Sequence, residues 1–247
     1  MVTALILSGG TGNRLGSDIP KQYIEVNGRE VISYPIETLS MSDRIDAIWV
    51  VAAEEWQEHI LNCMDRFDAC GKFKDFSVPG ENRQLSIWNG IRDISSWALD
   101  LGTASINDLV FVHDAVRPLL TMDHIRDYVD AARGHDGVLP VLPMKDTVYL
   151  SSNGFSVSGL LNRSQIYAGQ APEVFRLDKY IEANERLIRY EGDSIARDSE
   201  ILRINGSTEP AIRAGMDIVM VAGDEGNFKI TTSEDLERFQ MIISGRQ

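Results

Sequence analysis

The sequence predicts an α/β protein: a mostly parallel sheet with helices on both faces. Three observations predict it. Short apolar runs recur at 2–7, 47–52 and 109–112, as strands buried on both faces do. Longer segments with apolar residues at helical spacing lie between them, and this alternation marks the architecture. The first run ends in a glycine-rich loop, at the end of a strand where open α/β sheets hold ligands.

Each element follows in order. Residues 2–7 form a buried strand, and 31–39 a short helix with Pro35 within its first turn. Residues 47–52 are the second strand, 54–64 a helix and 76–78 a short third strand. Leu85, Trp88, Ile91, Ile94 and Ala98 fall at helical spacing, so a helix starts near Asn82 and buries that stripe. The fourth strand, 109–112, runs into His113-Asp114-Ala115-Val116-Arg117-Pro118. Thr121 caps a helix reaching about 133, and 137–142 is another strand. Asn153-Gly154 is a hairpin turn signal between 148–152 and 155–160. That hairpin does not fit the strand–helix rhythm and is expected to project as an arm spanning 146–168. Residues 177–190 are helical and 217–221 are the last strand. A closing helix at 233–243 carries Glu234 and Asp235 in its first turn, where negative charge is favoured.

The length of 247 residues admits one large α/β domain or two small ones, and a single domain over 1–247 is expected. A formal net charge of -13 argues against a nucleic-acid or anionic-membrane surface. It does not forbid a local cationic pocket. No run of about 18 apolar residues exists, so no membrane span is expected. Met1-Val2-Thr3 leads straight into a strand without a basic signal-peptide head, so the expected location is cytoplasmic. Cys63 and Cys70 sit in no metal-ligand spacing and are expected to be free thiols.

The first loop reads Leu7-Ser8-Gly9-Gly10-Thr11-Gly12-Asn13-Arg14-Leu15-Gly16, followed by Pro20-Lys21-Gln22. Successive main-chain N–H groups in such a turn make a concave anion site. Neutral glycines supply shape while Arg14 and Lys21 supply charge, so polyphosphate is the natural ligand. A Walker A loop needs Gly-Lys-Ser/Thr directly after its glycines, and Lys21 follows Pro20 instead. A dinucleotide fingerprint needs Gly-x-Gly-x-x-Gly, and the spacing from Gly10 to Gly16 is one residue too long. An NAD-dependent oxidoreductase is disfavoured accordingly.

Gly-Gly-x-Gly-x-Arg-x-Gly followed by Pro-Lys-Gln resembles the family of 2-C-methyl-D-erythritol 4-phosphate and ribitol 5-phosphate cytidylyltransferases. The resemblance extends over nearly the whole chain. Gly80, Arg83 and Ser86 match its Gly-x-x-Arg-x-x-Ser element, which holds cytosine and ribose, with a small Gly80 leaving room for a planar ring. His113 to Pro118 matches its His-Asp-x-x-Arg-Pro motif, with His113 read as a packing or hydrogen-bonding residue. Asn227-Phe228-Lys229-Ile230-Thr231 matches Asn-x-Lys-x-Thr. Two departures stand out. Ala171 replaces the usual threonine in Gln170-Ala171-Pro172, and Asn205-Gly206-Ser207-Thr208 stands near the place of a Thr-Asp-Asp/Glu-Ala element.

The resemblance implies a Rossmann-like nucleotidyltransferase that joins CTP to a polyol or sugar-alcohol phosphate, releasing pyrophosphate. It implies Arg14, Lys21, Arg163 and Lys229 as catalytic. Leu7, Ser8, Gly9, Gly10, Thr11, Gly12, Gly80, Arg83, Ser86, Asp114 and Ala115 would bind CTP, and Arg117, Thr147 and Arg163 the acceptor. Mg²⁺ would bridge the CTP phosphates with Asp114 as its ligand and Asn227 as a further candidate. The arm would reach a second subunit, giving a homodimer. The acceptor phosphate is largely dianionic near neutrality, with a second pKa of about 6, so no general base is required. Methylerythritol phosphate would place the enzyme in isoprenoid precursor synthesis, and ribitol phosphate in cell-wall or capsular polymer synthesis. Tyr167-Ala168-Gly169-Gln170 resembles the ribitol-type members more. A CTP-binding module without catalysis is the alternative that the two departures motivate.

Overall fold

A computed structural model describes residues 1–10, 19–192, 204 and 206–245. The elements run β1 (Val2–Leu7), a 3-10 turn (Lys21–Tyr23), β2 (Glu25–Val26), β3 (Arg29–Glu30), α1 (Ser33–Met41), β4 (Ala47–Val51), α2 (Glu54–Phe67), β5 (Phe73–Ser77) and α3 (Arg83–Asp100). They continue with β6 (Leu109–Asp114), α4 (Met122–Ala131), β7 (Gly137–Pro143), β8 (Tyr149–Leu150), β9 (Gly159–Leu160), β10 (Tyr167–Gly169) and β11 (Glu173–Arg176). Last come α5 (Leu177–Gly192), α6 (Thr208–Arg213), β12 (Ile218–Ala222) and α7 (Ser233–Ser244).

The main sheet has the order β10-β7-β11-β6-β1-β4-β5, with β12 also paired to β7. β1 pairs in parallel with β4 and β6, β4 with β5, and β12 with β7. The sheet is therefore mostly parallel, as expected. One strand breaks the pattern: β11 runs antiparallel between β6 and β7. β10 also pairs antiparallel with β7, and the cis Ala171-Pro172 peptide lies between β10 and β11.

Strand alternation divides the core between the two faces. Ala4 and Ile6 of β1 pack with Ile48, Val50 and Phe111 against Ile36 and Leu39 of α1, Ile60 and Met64 of α2, and Ile125 of α4. Leu5 points the other way, with Trp49, Val110 and Val112, against Ile87, Ile91 and Ile94 of α3 and Tyr180 of α5. Ile91, Ile94 and the buried Ala98 are from the stripe read from the sequence, but Ile87 was not in it, and Leu85 and Trp88 are only partly buried. α3 opens with an Asn82 side chain that accepts from the Leu85 N–H at 2.9 Å. Thr121 and Thr232 complete capping boxes on α4 and α7.

β2 and β3 form a small hairpin that the sequence reading did not anticipate. Its turn, Asn27-Gly28, has positive φ at both residues (56° and 77°), which is the two-residue turn that twists with its strands. The dipeptide was a readable signal. The third strand is also longer than read, spanning Phe73–Ser77 rather than 76–78. A third apolar cluster, with Val26, Val31, Val116, Ile230 and Phe239, docks α7 and the chain before it beside this hairpin.

β8 and β9 pair only with each other, as a second small hairpin apart from the main sheet. Its strands are two residues each, shorter than the runs read on either side of Asn153-Gly154. The Asn153 side-chain oxygen accepts from the N–H groups of Phe155 and Ser156, and Gly154 takes φ of 75°. Tyr167 and Ala168, at the end of the segment read as the arm, belong to the main sheet through β7.

Candidate active site

A cavity of about 560 Å³ opens at the carboxyl ends of β1 and β6. Its walls are the first loop, the 3-10 turn, the start of α3, the end of β6 and the segment before α7. Leu7, Gly9, Gly10 and Lys21 face it from one side, Gly80, Arg83 and Ser86 from another, and Asp114 and Lys229 from a third. Thr11, Gly12, Arg14 and Asn205 lie outside the described residues.

Side chains from the 3-10 turn brace the first loop. Gln22 donates from one amide nitrogen to the Ser8 carbonyl at 2.7 Å and to the Gly10 carbonyl at 2.8 Å. The hydroxyls of Tyr23 and Ser8 meet at 2.8 Å. A Cβ on Gly9 would lie 2.7 Å from Pro79 Cβ, so only glycine fits this approach. Gln22, read only as part of a motif, is thus the strut that sets the loop beside Lys21.

The α3 entrance is similarly built. A Cβ on Gly80 would come 2.4 Å from Leu85 Cβ and 2.8 Å from the Ser86 nitrogen. Packing against the helix is by itself enough to require glycine here. Ser86 Oγ accepts from the Gly80 N–H at 3.0 Å and donates to the Asn82 carbonyl at 2.9 Å. Its hydroxyl therefore holds the turn while facing the cavity.

Asp114 is the electrostatic centre. Arg83 donates to its Oδ1 at 3.2 Å, and Lys229 and Arg117 lie on its Oδ2 at 3.1 and 3.4 Å. Burial alone would push this carboxyl up, but Arg83, Lys229 and Arg117 together outweigh it and hold the group far below the usual carboxylate range. The result is an ionised acid that orients three cations. Arg117 also donates to the Asn227 carbonyl at 2.7 Å, so it ties β6 to the Lys229 segment. Ala115 is fully buried, and its N–H donates to the Leu7 carbonyl. It fixes the two strand ends rather than lining the cavity.

His113 is fully buried, and burial pushes its ring down to about 4. The neutral ring donates from Nε2 to the Arg117 carbonyl at 3.1 Å. That is the packing role read for it.

Sequence reasoning missed two participants. Glu173, on the antiparallel β11, lies 3.5 Å from Arg83 and is bonded by Ser207. Ser207 also accepts from Arg83 at 2.7 Å. Burial pushes the Glu173 carboxyl up, with Arg83 opposing. Arg83 is thus gripped by two carboxylates and a hydroxyl. Ser207 falls in the segment read only as a missing Thr-Asp element, and no local pattern marks Glu173. The other departure, Ala171, is buried, and its carbonyl accepts from the Asn227 side chain at 3.1 Å. Gln170 bonds both the N–H and the carbonyl of Asp224, at 2.9 and 3.0 Å. Together these contacts anchor the loop that leads to Lys229.

Arg163 and Thr147 are elsewhere. Both are exposed at the base of the β8–β9 hairpin, and Arg163 donates to the Lys145 carbonyl at 2.8 Å. Within one chain they do not line the cavity. Cys63 and Cys70 are free thiols, as expected. Cys63, however, lies beside His59 and Glu30, a grouping its sequence spacing did not suggest. Among the described residues no helix is long and apolar enough to cross a membrane.

Comparison with known proteins follows the same lines. Residues 2–245 match the family described as 2-C-methyl-D-erythritol 4-phosphate cytidylyltransferase. A ribitol-5-phosphate cytidylyltransferase of Streptococcus pneumoniae serotype 2 is 31% identical over 245 residues, covering 98% of this chain and 99% of that protein. The crystal structure of 4-diphosphocytidyl-2C-methyl-D-erythritol synthase from Anaerococcus prevotii superposes with a TM-score of 0.76 at 23% identity, covering 98% of this chain and 96% of that one. The Francisella tularensis 2-C-methyl-D-erythritol 4-phosphate cytidylyltransferase gives 0.75 at 23% identity, over 97% and 99% of the two chains. These structures share the fold.

Proposed function

We propose, for a chain that belongs to the 2-C-methyl-D-erythritol 4-phosphate cytidylyltransferase family, that the acceptor in its reaction is ribitol 5-phosphate. Membership makes the protein a CTP-dependent cytidylyltransferase acting on a polyol phosphate. The finer choice of acceptor is supported by the curated relatives at 30–31% identity, which are ribitol-5-phosphate cytidylyltransferases. It is supported also by the 167–170 segment.

One observation carries the reading: Lys21, Arg83, Asp114 and Lys229 surround a single cavity at the strand ends. In the reaction an oxygen of the acceptor phosphate attacks the α-phosphorus of CTP. A new P–O bond forms, the bond to the β-phosphate breaks, and pyrophosphate leaves. The obstacle is repulsion between two polyanions, so catalysis is positioning and charge stabilisation. Lys21 and the glycine loop cradle the leaving phosphates, with Arg14. Lys229 is held by Asp114 beside the α-phosphate. Gly80, Arg83 and Ser86 form the nucleoside side of the cavity.

The acceptor side is completed from a second copy. Arg163 and Thr147 are exposed on the hairpin arm, and apolar Phe155, Val157 and Leu160 stand exposed with them. A homodimer in which each arm enters the other copy's cavity would bring Arg163 to the acceptor phosphate. Mg²⁺ fits the donor chemistry: Asp114 stays ionised, and the buried Asn227 Oδ1 has no hydrogen-bond partner among the described residues. Asp114 would hold the ion, with Asn227 near it, and when bound Mg²⁺ neutralises charge on the CTP phosphates.

The test is pyrophosphate release from CTP with a panel of acceptor phosphates. Ribitol 5-phosphate is expected to exceed 2-C-methyl-D-erythritol 4-phosphate by at least about tenfold in kcat/KM, the size of one lost polar contact. The reverse order overturns the acceptor. Tight CTP binding with no release for any polyol phosphate would favour a binding module instead.

A further inference from the structure

Away from the cavity, the β2–β3 hairpin meets α2 through Glu30, His59 and Cys63. Each offers one ligand atom, and these atoms all lie within 4.8 Å of one another; it is the one such grouping among the described residues. His59 and Cys63 stand four apart on α2, so they share a helix face. Glu30 comes to them from β3.

The polar atoms here are short of partners. Glu30 Oε2 and His59 Nε2 are buried and accept or donate no hydrogen bond among the described residues. His59 Nε2 lies 3.5 Å from Glu30 Oε1, and Arg66 reaches only to 4.0 Å from Oε2. Glu30 is 7% exposed and Cys63 1% exposed. The Cys63 thiol hydrogen-bonds Glu30, but Glu30 Oε2 stays unbonded among the described residues. A buried unbonded carboxylate oxygen is costly, and native proteins leave few such groups unexplained. In the metal-free state the Cys63 thiol faces the Glu30 carboxylate, and burial together with that charge pushes it up to about 12.

We propose that Glu30, His59 and Cys63 form a site for one Zn²⁺ ion, with carboxylate, imidazole and thiolate as its three protein ligands. This is the donor chemistry zinc takes. Bond lengths of about 2.0–2.3 Å around a tetrahedron put ligand atoms about 3.5 Å apart. The side chains need close by only about 1 Å to reach that spacing. Cys63 coordinates as the thiolate and releases its proton to solvent. The His59 side chain is about one third exposed, which gives the ion an entry path and leaves a fourth position for water.

The ion clamps the β2–β3 hairpin onto α2. Tyr23, one step before that hairpin, already stacks on Trp56 of α2 with ring centroids 4.4 Å apart, and its edge meets the His59 ring. The segment that carries Lys21 and Gln22 into the cavity is thereby fixed from behind.

The full chain, stripped with a chelator and dialysed, is titrated with Co²⁺ and then competed with Zn²⁺. One equivalent of Co²⁺ is expected to give a thiolate-to-cobalt charge-transfer band and tetrahedral visible bands, both erased by one equivalent of Zn²⁺. Cys63→Ser is expected to lose the charge-transfer band and to weaken zinc retention by at least about tenfold. Cys70→Ser keeps both. His59→Gln, checked for folding by circular dichroism, carries the test should Cys63→Ser fail to fold. Zinc raises the melting temperature of the wild type and of Cys70→Ser, and not of Cys63→Ser or His59→Gln. The proposal is overturned if the wild type takes up no stoichiometric metal, or if folded His59→Gln and Cys63→Ser retain zinc as the wild type does.

Discussion

The cavity wall and the β8–β9 arm are built on opposite principles. At the wall, Asp114 is 6% exposed and three cations from three parts of the chain converge on its carboxylate. Side chains there brace one another, from Gln22 on the loop carbonyls to Ser207 on Arg83. At the arm, a hairpin with strands of two residues holds Phe155 98% exposed in its turn, where the Ser151, Asn153 and Ser156 side chains bond one another. The wall draws its described groups together within one chain, whereas the arm leaves Phe155, Val157 and Leu160 exposed and holds Arg163 at its base on the Lys145 carbonyl, outside the cavity lining. The proposed mechanism would account for the division: CTP needs a preformed cationic socket, and the arm would bring the second anion to it.

The sharpest test of the wall is Lys21→Ala. Lys21 faces the cavity beside the braced glycine loop, and charge stabilisation of this kind is worth about 10³ in turnover. The expected outcome is a fall in kcat of that order with an unchanged melting curve. Near-normal pyrophosphate release would separate the wall from the chemistry.

The arm comes next. Arg163→Ala is expected to lower kcat/KM for the acceptor about 100-fold, with the KM for CTP nearly unchanged, as for loss of one positioned cation. Mixing it with Lys21→Ala tells whether the arm works on its own chain or on a partner. If each arm serves the other copy, a mixed dimer has one intact site, and about a quarter of wild-type activity returns. If the arm serves its own chain, none does. If the proposed dimer forms through the arms, Phe155→Asp should disperse it in sedimentation and reproduce the Arg163→Ala loss.

The wall also makes a stability claim. Asp114→Asn leaves Arg83, Arg117 and Lys229 crowded without their counter-charge. Breaking a buried pair costs about 3–5 kcal/mol, but Arg83 and Lys229 are each about one third exposed and solvent screens them. A loss of about 2 kcal/mol in urea unfolding is expected. CTP should restore part of it by supplying phosphate charge, and a loss unaffected by CTP would mean that the cations do not face the nucleotide.

The two regions were also unequally legible. The parallel strands, the α3 stripe, the Thr121 cap and the Asn153-Gly154 turn are local patterns, and all appear close to where they were read. The glycine loop, Lys21, Arg83, Asp114 and Lys229 were legible because each lies within a short motif. β11 was not, because an antiparallel strand inserted between parallel ones depends on long-range register. Glu173 and Ser207 were missed for the same reason: their partner, Arg83, is distant in sequence and meets them only through β11. Asn27-Gly28 was legible and passed over. Its hairpin places Glu30 against His59 and Cys63, a grouping that only half shows in the sequence as an i, i+4 pair. Arg163 was marked by its motif, but its place at the base of the β8–β9 hairpin, away from the cavity lining, depends on how that hairpin folds, which a motif does not display.

The smallest expected effect contrasts the regions through pH. His113, at the root of the wall, has a folded pKa of about 4 against an unfolded value of 6.5. Between those values the unfolded chain takes up the proton and the folded chain does not. Its contribution is therefore fully present above pH 6.5 and is lost as pH falls towards 4. At pH 5.5 the loss is about 1 kcal/mol. The cause is local: Nε2 already donates to the Arg117 carbonyl, Nδ1 has no partner among the described residues, and Arg117 adds a cation nearby. Residues 149–160 contain no acidic, basic or histidine side chain, so the β8–β9 hairpin contributes no comparable group. Urea unfolding at pH 7 and 5.5 should therefore show a pH-dependent loss that His113→Gln, which keeps a donor for the Arg117 carbonyl, reduces by about 1 kcal/mol. A variant whose stability falls as steeply as the wild type's would place the proton uptake elsewhere and remove His113 as the pH-sensitive root of the wall.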